Sequence, residues 1–203
     1  MTSRQSSANR AVFQEKYRPN PGRLMRFALN RFFGPLSHLL EQVEAQTVFD
    51  AGCGEAYVLK NMLEPRFSKI YGADLYYDVV EYVATTYPHI PVFCSNLQAI
   101  PLPDNAVDLV ICLEVLEHVG EPEIALAELH RVTRKYAILS VPNEPFWRMG
   151  NIARGAYWRD WGNTPEHINH WSIWGFKRFV GRRFNIIASA TPVTWSFVLA
   201  EKR

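Results

Sequence analysis

Seven short apolar runs, separated by helical stretches, limit what this chain can fold into more than any other feature. They are TVFDAG (47–52), KIYGADL (69–75), PVFCSN (91–96), AVDLVICLE (106–114), KYAILSVPN (135–143), FNIIASATP (184–192) and TWSFVLAEK (194–202). Helical periodicity falls between the early runs, at about 55–64, 77–87 and 121–134, and again at about 172–182. Strands alternating with helices imply βαβ units and a parallel sheet covered on both faces. The last two runs break the pattern. Almost nothing separates them, and a parallel crossover needs about ten or more residues, so they must pair as an antiparallel hairpin. The expected fold is α/β: a mostly parallel seven-stranded sheet, helices on both faces, and a C-terminal antiparallel hairpin.

Upstream of the first run the character differs. PGRLMRFALNRFFG reads as a basic amphipathic helix ended by Gly34-Pro35. Leu36, Leu39, Leu40 and Val43 then recur at i, i+3, i+4 and i+7, so two helices are expected, at 23–33 and 36–45. Net charge is only +2, yet residues 1 to 31 hold Arg4, Arg10, Lys16, Arg18, Arg23, Arg26 and Arg31 against the single acid Glu15. Such an arm is either a solvated leader or a contact for an anionic membrane surface, nucleic acid or anionic substrate. The longest apolar run is well short of the roughly 18 residues that cross a bilayer. No secretory pattern opens the chain, and Cys53, Cys94 and Cys112 are odd in number and scattered. Reduced thiols and a cytoplasmic location are the expectation.

Residues 143 to 171 fit neither pattern. A connection longer than about 12–15 residues is usually functional or disordered. This one carries Trp147, Trp158, Trp161 and Trp171, with Phe146, Tyr157 and, just beyond, Trp174. Such rings need something to bury against. Two readings stand: a lid over an apolar or aromatic ligand, or a satellite core under a long loop.

Chemistry concentrates first at TVFDAGCGEAYVLKNML, a strand, a glycine turn and a helix. Ligands of open parallel sheets sit at the carboxyl ends of strands, and Gly52 and Gly54 let the backbone approach one. A dinucleotide fingerprint would place a third glycine where Tyr57 stands. Asp50, just before the turn, would also repel a pyrophosphate. A cofactor with a cationic amino group and no phosphate suits the loop better. Twenty residues past Gly54, Asp74 ends the second run, where a carboxylate can accept both hydroxyls of a ribose.

With these residues in view, the sequence resembles the class I S-adenosylmethionine-dependent methyltransferases. VFDAGCGEAYVLK resembles their first motif and GADLYYDVV their ribose-binding motif. FCSNLQAIPLPDNAVDLVICLEVLEHV resembles the adenine-site and fourth-strand motifs, all in family order from about 47 to 142. The resemblance implies a Rossmann-like methyltransferase domain at 47–203 with an aromatic lid insertion at about 143–171. Residues 1–46 would form a basic arm and cap helices. It implies that Gly52 and Gly54 pack against the methionine part of S-adenosylmethionine, with Asp50 orienting the amino group. Asp74 would hold the ribose, Leu75 and Leu97 would cover the adenine, and Leu113 would lie near the sulfonium. Asn96 stands where the family has Asp; it can accept from the adenine amino group through its carbonyl oxygen.

The fourth run ends in LEVLEHV, with Glu114, Glu117 and His118 at i, i+3 and i+4, which share a face if the chain turns helical there. The E-x-x-E-H set with a later histidine resembles the ubiquinone-pathway O-methyltransferases and the small-RNA 2′-O-methyltransferases. In the latter the later histidine precedes an aromatic residue and Ser/Thr, as His167 precedes Trp171-Ser172. A hydroxyl acceptor loses its proton to a general base or to a divalent cation. Candidate catalytic residues are therefore His118, His167 and Glu114. Candidate ligands for Mg²⁺, Mn²⁺ or Fe²⁺ are Glu114, Glu117, His118 and His167. The expected activity is methyl transfer to oxygen of a small apolar or aromatic molecule. One alternative is RNA 2′-O-methylation using the basic arm with Arg148, Arg154 and Arg159. The other is an inactive scaffold subunit.

Overall fold

The computed structural model describes residues 23–203 apart from 154, 156, 158 and 159. The basic arm before residue 23 lies outside them, as do Trp158, Arg154 and Arg159.

All seven apolar runs form strands: β1 (Thr47–Ala51), β2 (Lys69–Asp74), β3 (Val92–Cys94), β4 (Val107–Leu113), β5 (Thr133–Pro142), β6 (Phe184–Ala190) and β7 (Trp195–Lys202). They make one sheet in the order β3-β2-β1-β4-β5-β7-β6. The pairings among β1 to β5 are parallel, and β7 runs antiparallel to both β5 and β6. The expected hairpin forms, and β7 then slots between β5 and β6.

The central runs are largely apolar because both faces of the sheet are covered there, while the edge strand β6 alternates exposed residues with buried or half-buried ones. On β4, Val110 and Cys112 pack on one side, with α3 (Pro122–Val132) and α5 (Ile173–Val180). Leu109 and Ile111 pack on the other, with α1 (Arg23–Leu40) and the turn at Leu59–Leu63. Val83 of α2 (Tyr77–Thr86) joins that second side. The order strand, loop, helix leaves the loops after β1, β2, β4 and β5 at the carboxyl edge of the sheet, where a ligand site is expected.

Two helical expectations change. Gly34-Pro35 does not end a helix; α1 runs through it to Leu40. An interior proline costs roughly 3 kcal/mol. Here Leu36, Leu39 and Leu40 are almost fully buried, and the Phe32 ring sits 5.1 Å from Phe197 and 5.3 Å from Trp195. Each such burial contributes about 1.5–3 kcal/mol, which outweighs the break. The helix expected at 55–64 shrinks to a wide, π-type turn over Leu59–Leu63 that buries Leu59, Met62 and Leu63.

Candidate active site

The glycine loop follows β1. Gly52 has φ +91, and a Cβ there would lie 2.3 Å from Cγ2 of Val115. Only glycine fits such a position. The amides of Gly52 and Cys53 both donate to the Ala73 carbonyl, at 2.8 and 2.9 Å, which ties the loop to β2. Asp74 completes the fastening. Its Oδ2 accepts from the Gly54 amide at 3.0 Å and its Oδ1 from the Tyr76 amide at 3.1 Å. Each oxygen keeps a second lone pair for a ribose hydroxyl.

Asp50 is 3% exposed at this edge. Burial, and then the charge of Asp74, push its carboxyl from 3.8 up to about 7. Burial also raises Asp74, against the hydrogen bonds from Tyr76 and Gly54. A cationic amino group between them would reverse both effects. Leu75, next to Asp74, is 60% exposed, an apolar side chain left for a ring to cover. Asn96 is exposed, and its Oδ1 accepts from the Gln98 amide at 2.9 Å with one lone pair spare. Leu97 packs half-buried against the core, and Leu113 is half-buried at the end of β4. This cradle fits S-adenosylmethionine: two carboxylates for the amino group and ribose, and an apolar edge for the adenine.

The E-x-x-E-H stretch does not begin a regular helix. Glu114 has φ +57, and a short 3₁₀ turn forms only at Leu116–His118. The shared helix face therefore does not exist. Glu114 turns to β5, where its Oε1 accepts from the Ser140 hydroxyl at 2.8 Å. Glu117 is 1% exposed. Burial, and then the Glu114 charge, raise its carboxyl well above the usual range. Its Oε2 is buried and accepts no hydrogen bond.

His118 Nδ1 lies 2.8 Å from the Glu166 carbonyl oxygen. A carbonyl only accepts, so Nδ1 carries hydrogen and the neutral ring keeps its lone pair on Nε2. That nitrogen is 3.9 Å from Glu117 Oε1. His167 is 7% exposed, its ring 5.0 Å from His118 and stacked on Trp147 at 5.6 Å. Burial, then the charges of His118 and His170, push it from 6.5 down to about 4. Glu117, His118 and His167 each offer a ligand atom, all within 4.8 Å of one another. Glu114 is not part of that group.

The segment after β5 is ordered by side chains that the sequence did not single out. Asn169 Nδ2 donates to the carbonyls of Leu116 at 3.0 Å and Val119 at 2.6 Å. The amides of Ile168 and Asn169 donate to the Glu117 carbonyl at 2.9 and 3.0 Å. Asn151, on α4 (Phe146–Ala153), donates to the Gly162 carbonyl at 2.7 Å, and Trp147 Nε1 to Thr164 Oγ1 at 3.1 Å. Trp171 packs on Phe176 and Phe179, in the core. Trp161 and Trp174 are 82% and 78% exposed. The segment is thus part satellite core, part exposed aromatic surface.

Residues 49–141 match the model of the methyltransferase domain family. Over those residues, a little under half of its length, the chain is similar to S-adenosylmethionine-dependent methyltransferases. Over 107 residues it is 33% identical to a probable S-adenosylmethionine-dependent methyltransferase of Mycobacterium tuberculosis, covering 52% of this chain and 39% of that protein. The chain therefore spans about two-fifths of the length of that relative. The solved magnesium protoporphyrin IX methyltransferase of Synechocystis, with bound SAH, has a TM-score of 0.73 at 16% identity and covers 98% of this chain and 95% of its own. A methyltransferase in complex with the Trm112 activator from Haloferax volcanii has a TM-score of 0.69 at 14% identity, covering 85% of this chain and 91% of its own. These likenesses establish the methyltransferase fold. Among the described residues, no helix is long and apolar enough to cross a membrane.

Proposed function

We propose that the chain transfers a methyl group from S-adenosylmethionine to a hydroxyl of a small, apolar or aromatic molecule. One observation carries the cofactor reading: Asp50 and Asp74 lie at the carboxyl ends of the paired strands β1 and β2, near enough for the Asp74 charge to act on Asp50, within the matched domain. When bound, S-adenosylmethionine supplies a methyl carbon activated by a sulfonium and a neutral thioether leaving group. Asp50 orients the amino group, Gly52 and Gly54 let the backbone close on the methionine part, and Asp74 takes the ribose hydroxyls. Leu75, Asn96 and Leu97 hold the adenine, and Leu113 walls the sulfonium. The protein's own contribution is positioning and removal of the acceptor proton. Phe33 of α1 stacks on Tyr57 beyond the glycine loop and Trp147 stacks on His167, and such aromatic content favours a planar or apolar acceptor.

Calorimetry tests the reading first: micromolar binding of S-adenosylmethionine is expected, reduced at least about tenfold in Asp74→Asn, since a charged hydrogen bond contributes about 1.5–3 kcal/mol. Deuterated methyl donor with a panel of phenols, read by mass spectrometry, then tests the acceptor. Transfer only to nitrogen or carbon acceptors would remove the hydroxyl assignment.

The unsatisfied Oε2 of buried Glu117 favours a cation beside it. Glu117, His118 and His167 would hold it, and it would lower the pKa of an acceptor hydroxyl. One carboxylate and two neutral imidazoles suit Mn²⁺, Fe²⁺ or Zn²⁺ better than Mg²⁺. The Glu166 carbonyl, by fixing the His118 tautomer, is the kind of outer partner such ligands use. Cobalt(II) absorption is the test: bands in the wild type that vanish in His167→Ala support the site, and their absence refutes it.

A further inference from the structure

Glu144, just past β5, is unusual among the carboxylates described. Both of its oxygens are buried and neither accepts a hydrogen bond. A guanidinium and an imidazole flank it at slightly more than hydrogen-bond distance: Arg148 Nε lies 3.4 Å from Oε2 and His170 Nδ1 lies 3.6 Å from Oε1. Arg148 Nε is itself buried without a hydrogen-bond acceptor. A buried cluster one step short of bonded contact fits a site that tightens when a ligand arrives.

His170 also lines an open cleft of about 380 Å³ between the amino end of α3 and the length of α5. That volume is within the usual range for small-molecule sites. Trp171 and Phe179 give the cleft aromatic walls, and Arg178 and Arg182 give it positive charge, with Glu123 paired to Arg182. With Nδ1 toward Glu144, Nε2 is the ring nitrogen left for a ligand in the cleft. The cleft is tied to the candidate site by hydrogen bonds. Asn169 on its wall holds the carbonyls of Leu116 and Val119, and the Glu144 amide donates to the Trp171 carbonyl at 2.9 Å.

We propose that His170, positioned by Glu144, is the proton acceptor for an ionisable hydroxyl on an aromatic ligand seated in this cleft. The step is a simple proton transfer. The ligand O–H bond breaks, an N–H bond forms at Nε2, the oxygen keeps the electron pair, and the imidazolium is stabilised by the Glu144 carboxylate. Arg178 and Arg182 attract the resulting phenolate. His167 suits this role less, because it is buried and held neutral. The groups bearing on His170 are Glu144, Arg148 on α4, His167, and the Arg178, Arg182 and Glu123 side chains of the cleft. The proposal rests on the reading of transfer to oxygen, but its test is separate from that reading.

4-Nitrophenol is the probe, because its phenolate absorbs visibly and its phenol does not. At a pH just below its own ionisation, the wild-type chain is expected to raise the phenolate band on binding. His170→Asn should abolish the gain, and Glu144→Gln should reduce it several-fold. Trp174→Ala, on the exposed face of α5, should leave it unchanged. No gain with the wild type, or an equal gain with His170→Asn, overturns the proposal. Calorimetry with S-adenosylmethionine on the same samples reports on the methyltransferase reading alone. Retained cofactor binding with no ionisation of the probe would sink only the His170 assignment.

Discussion

Around the glycine loop, position is set by main-chain donors meeting one carbonyl and one carboxylate. Gly52 and Cys53 donate to Ala73, and Gly54 and Tyr76 donate to the two oxygens of Asp74. In residues 143–171, side chains add to the main-chain bonds: Asn151, Asn169 and Trp147 reach carbonyls or a hydroxyl, and His118 closes on Glu166. A main-chain bond survives most substitutions at its own residue; a side-chain bond does not. The first region therefore tolerates change except at a few positions, and the second is sensitive side chain by side chain. The family match ends at residue 141, where one mode of construction gives way to the other.

The hardest blow to the first region is Gly52→Val. Its backbone strain alone is about 1–3 kcal/mol, and the added carbons have Val115 in their way. A drop in melting temperature and at least a tenfold loss of S-adenosylmethionine affinity, about 1.4 kcal/mol, are expected. A variant that binds normally would mean the loop is not the cofactor cradle. For the second region the matching test is Asn169→Ala, which strips two carbonyls of their donor at a cost of about 1–3 kcal/mol. Faster hydrogen exchange at 164–171 and 116–119 is expected, with β1, β4 and β5 unchanged. Exchange that rises across the whole sheet would erase the distinction between the regions.

Acid separates them further. Asp50 holds its proton up to about 7 in the free protein, and the cofactor's ammonium needs it ionised. Binding must then release a proton, so affinity falls about tenfold for each pH unit below 7. Calorimetry in buffers of different ionisation enthalpy reads that proton directly, and Asp50→Asn should flatten the profile. His167 gives the smallest effect, of opposite origin. From about 6.5 down to about 4 the unfolded chain takes up a proton that the folded His167 refuses. Its contribution to stability therefore declines with falling pH, and His167→Gln should melt closer to the wild type at pH 5 than at pH 7.

Much of this was legible in the sequence, for a physical reason. Central strands such as β4 and β7 are buried on both faces and must be largely apolar, so their runs announced themselves; the edge strands β3 and β6 are partly exposed and were legible as shorter or alternating runs. The near-absence of residues between β6 and β7 allowed only a hairpin. Asp50, Gly52 and Asp74 were readable because strand ends and a glycine turn have sequence signatures. The helix through Pro35 was not, since long-range burial of Phe32 and Leu36 overrides a local breaker. Nor was Glu114, whose left-handed backbone is imposed by the end of β4 and sends its carboxylate to Ser140. Asn169, Asn151 and Glu144 carry no periodic or motif signal, because each acts on a carbonyl or a charge far along the chain or across a loop.

The placement of β7 has a consequence for how the molecule assembles. β6 bonds only to β7, and β7 bonds to β5 on its other side. Emerging from the ribosome, β6 has no neighbour in the sheet until the strand made after it has arrived and wedged itself in. The order of synthesis and the order of assembly must therefore cross. Ser196, Phe197 and Val198, buried in that wedge, are late contacts that fasten an earlier element. Until β7 has docked against β5, β6 is an unpaired, aggregation-prone edge.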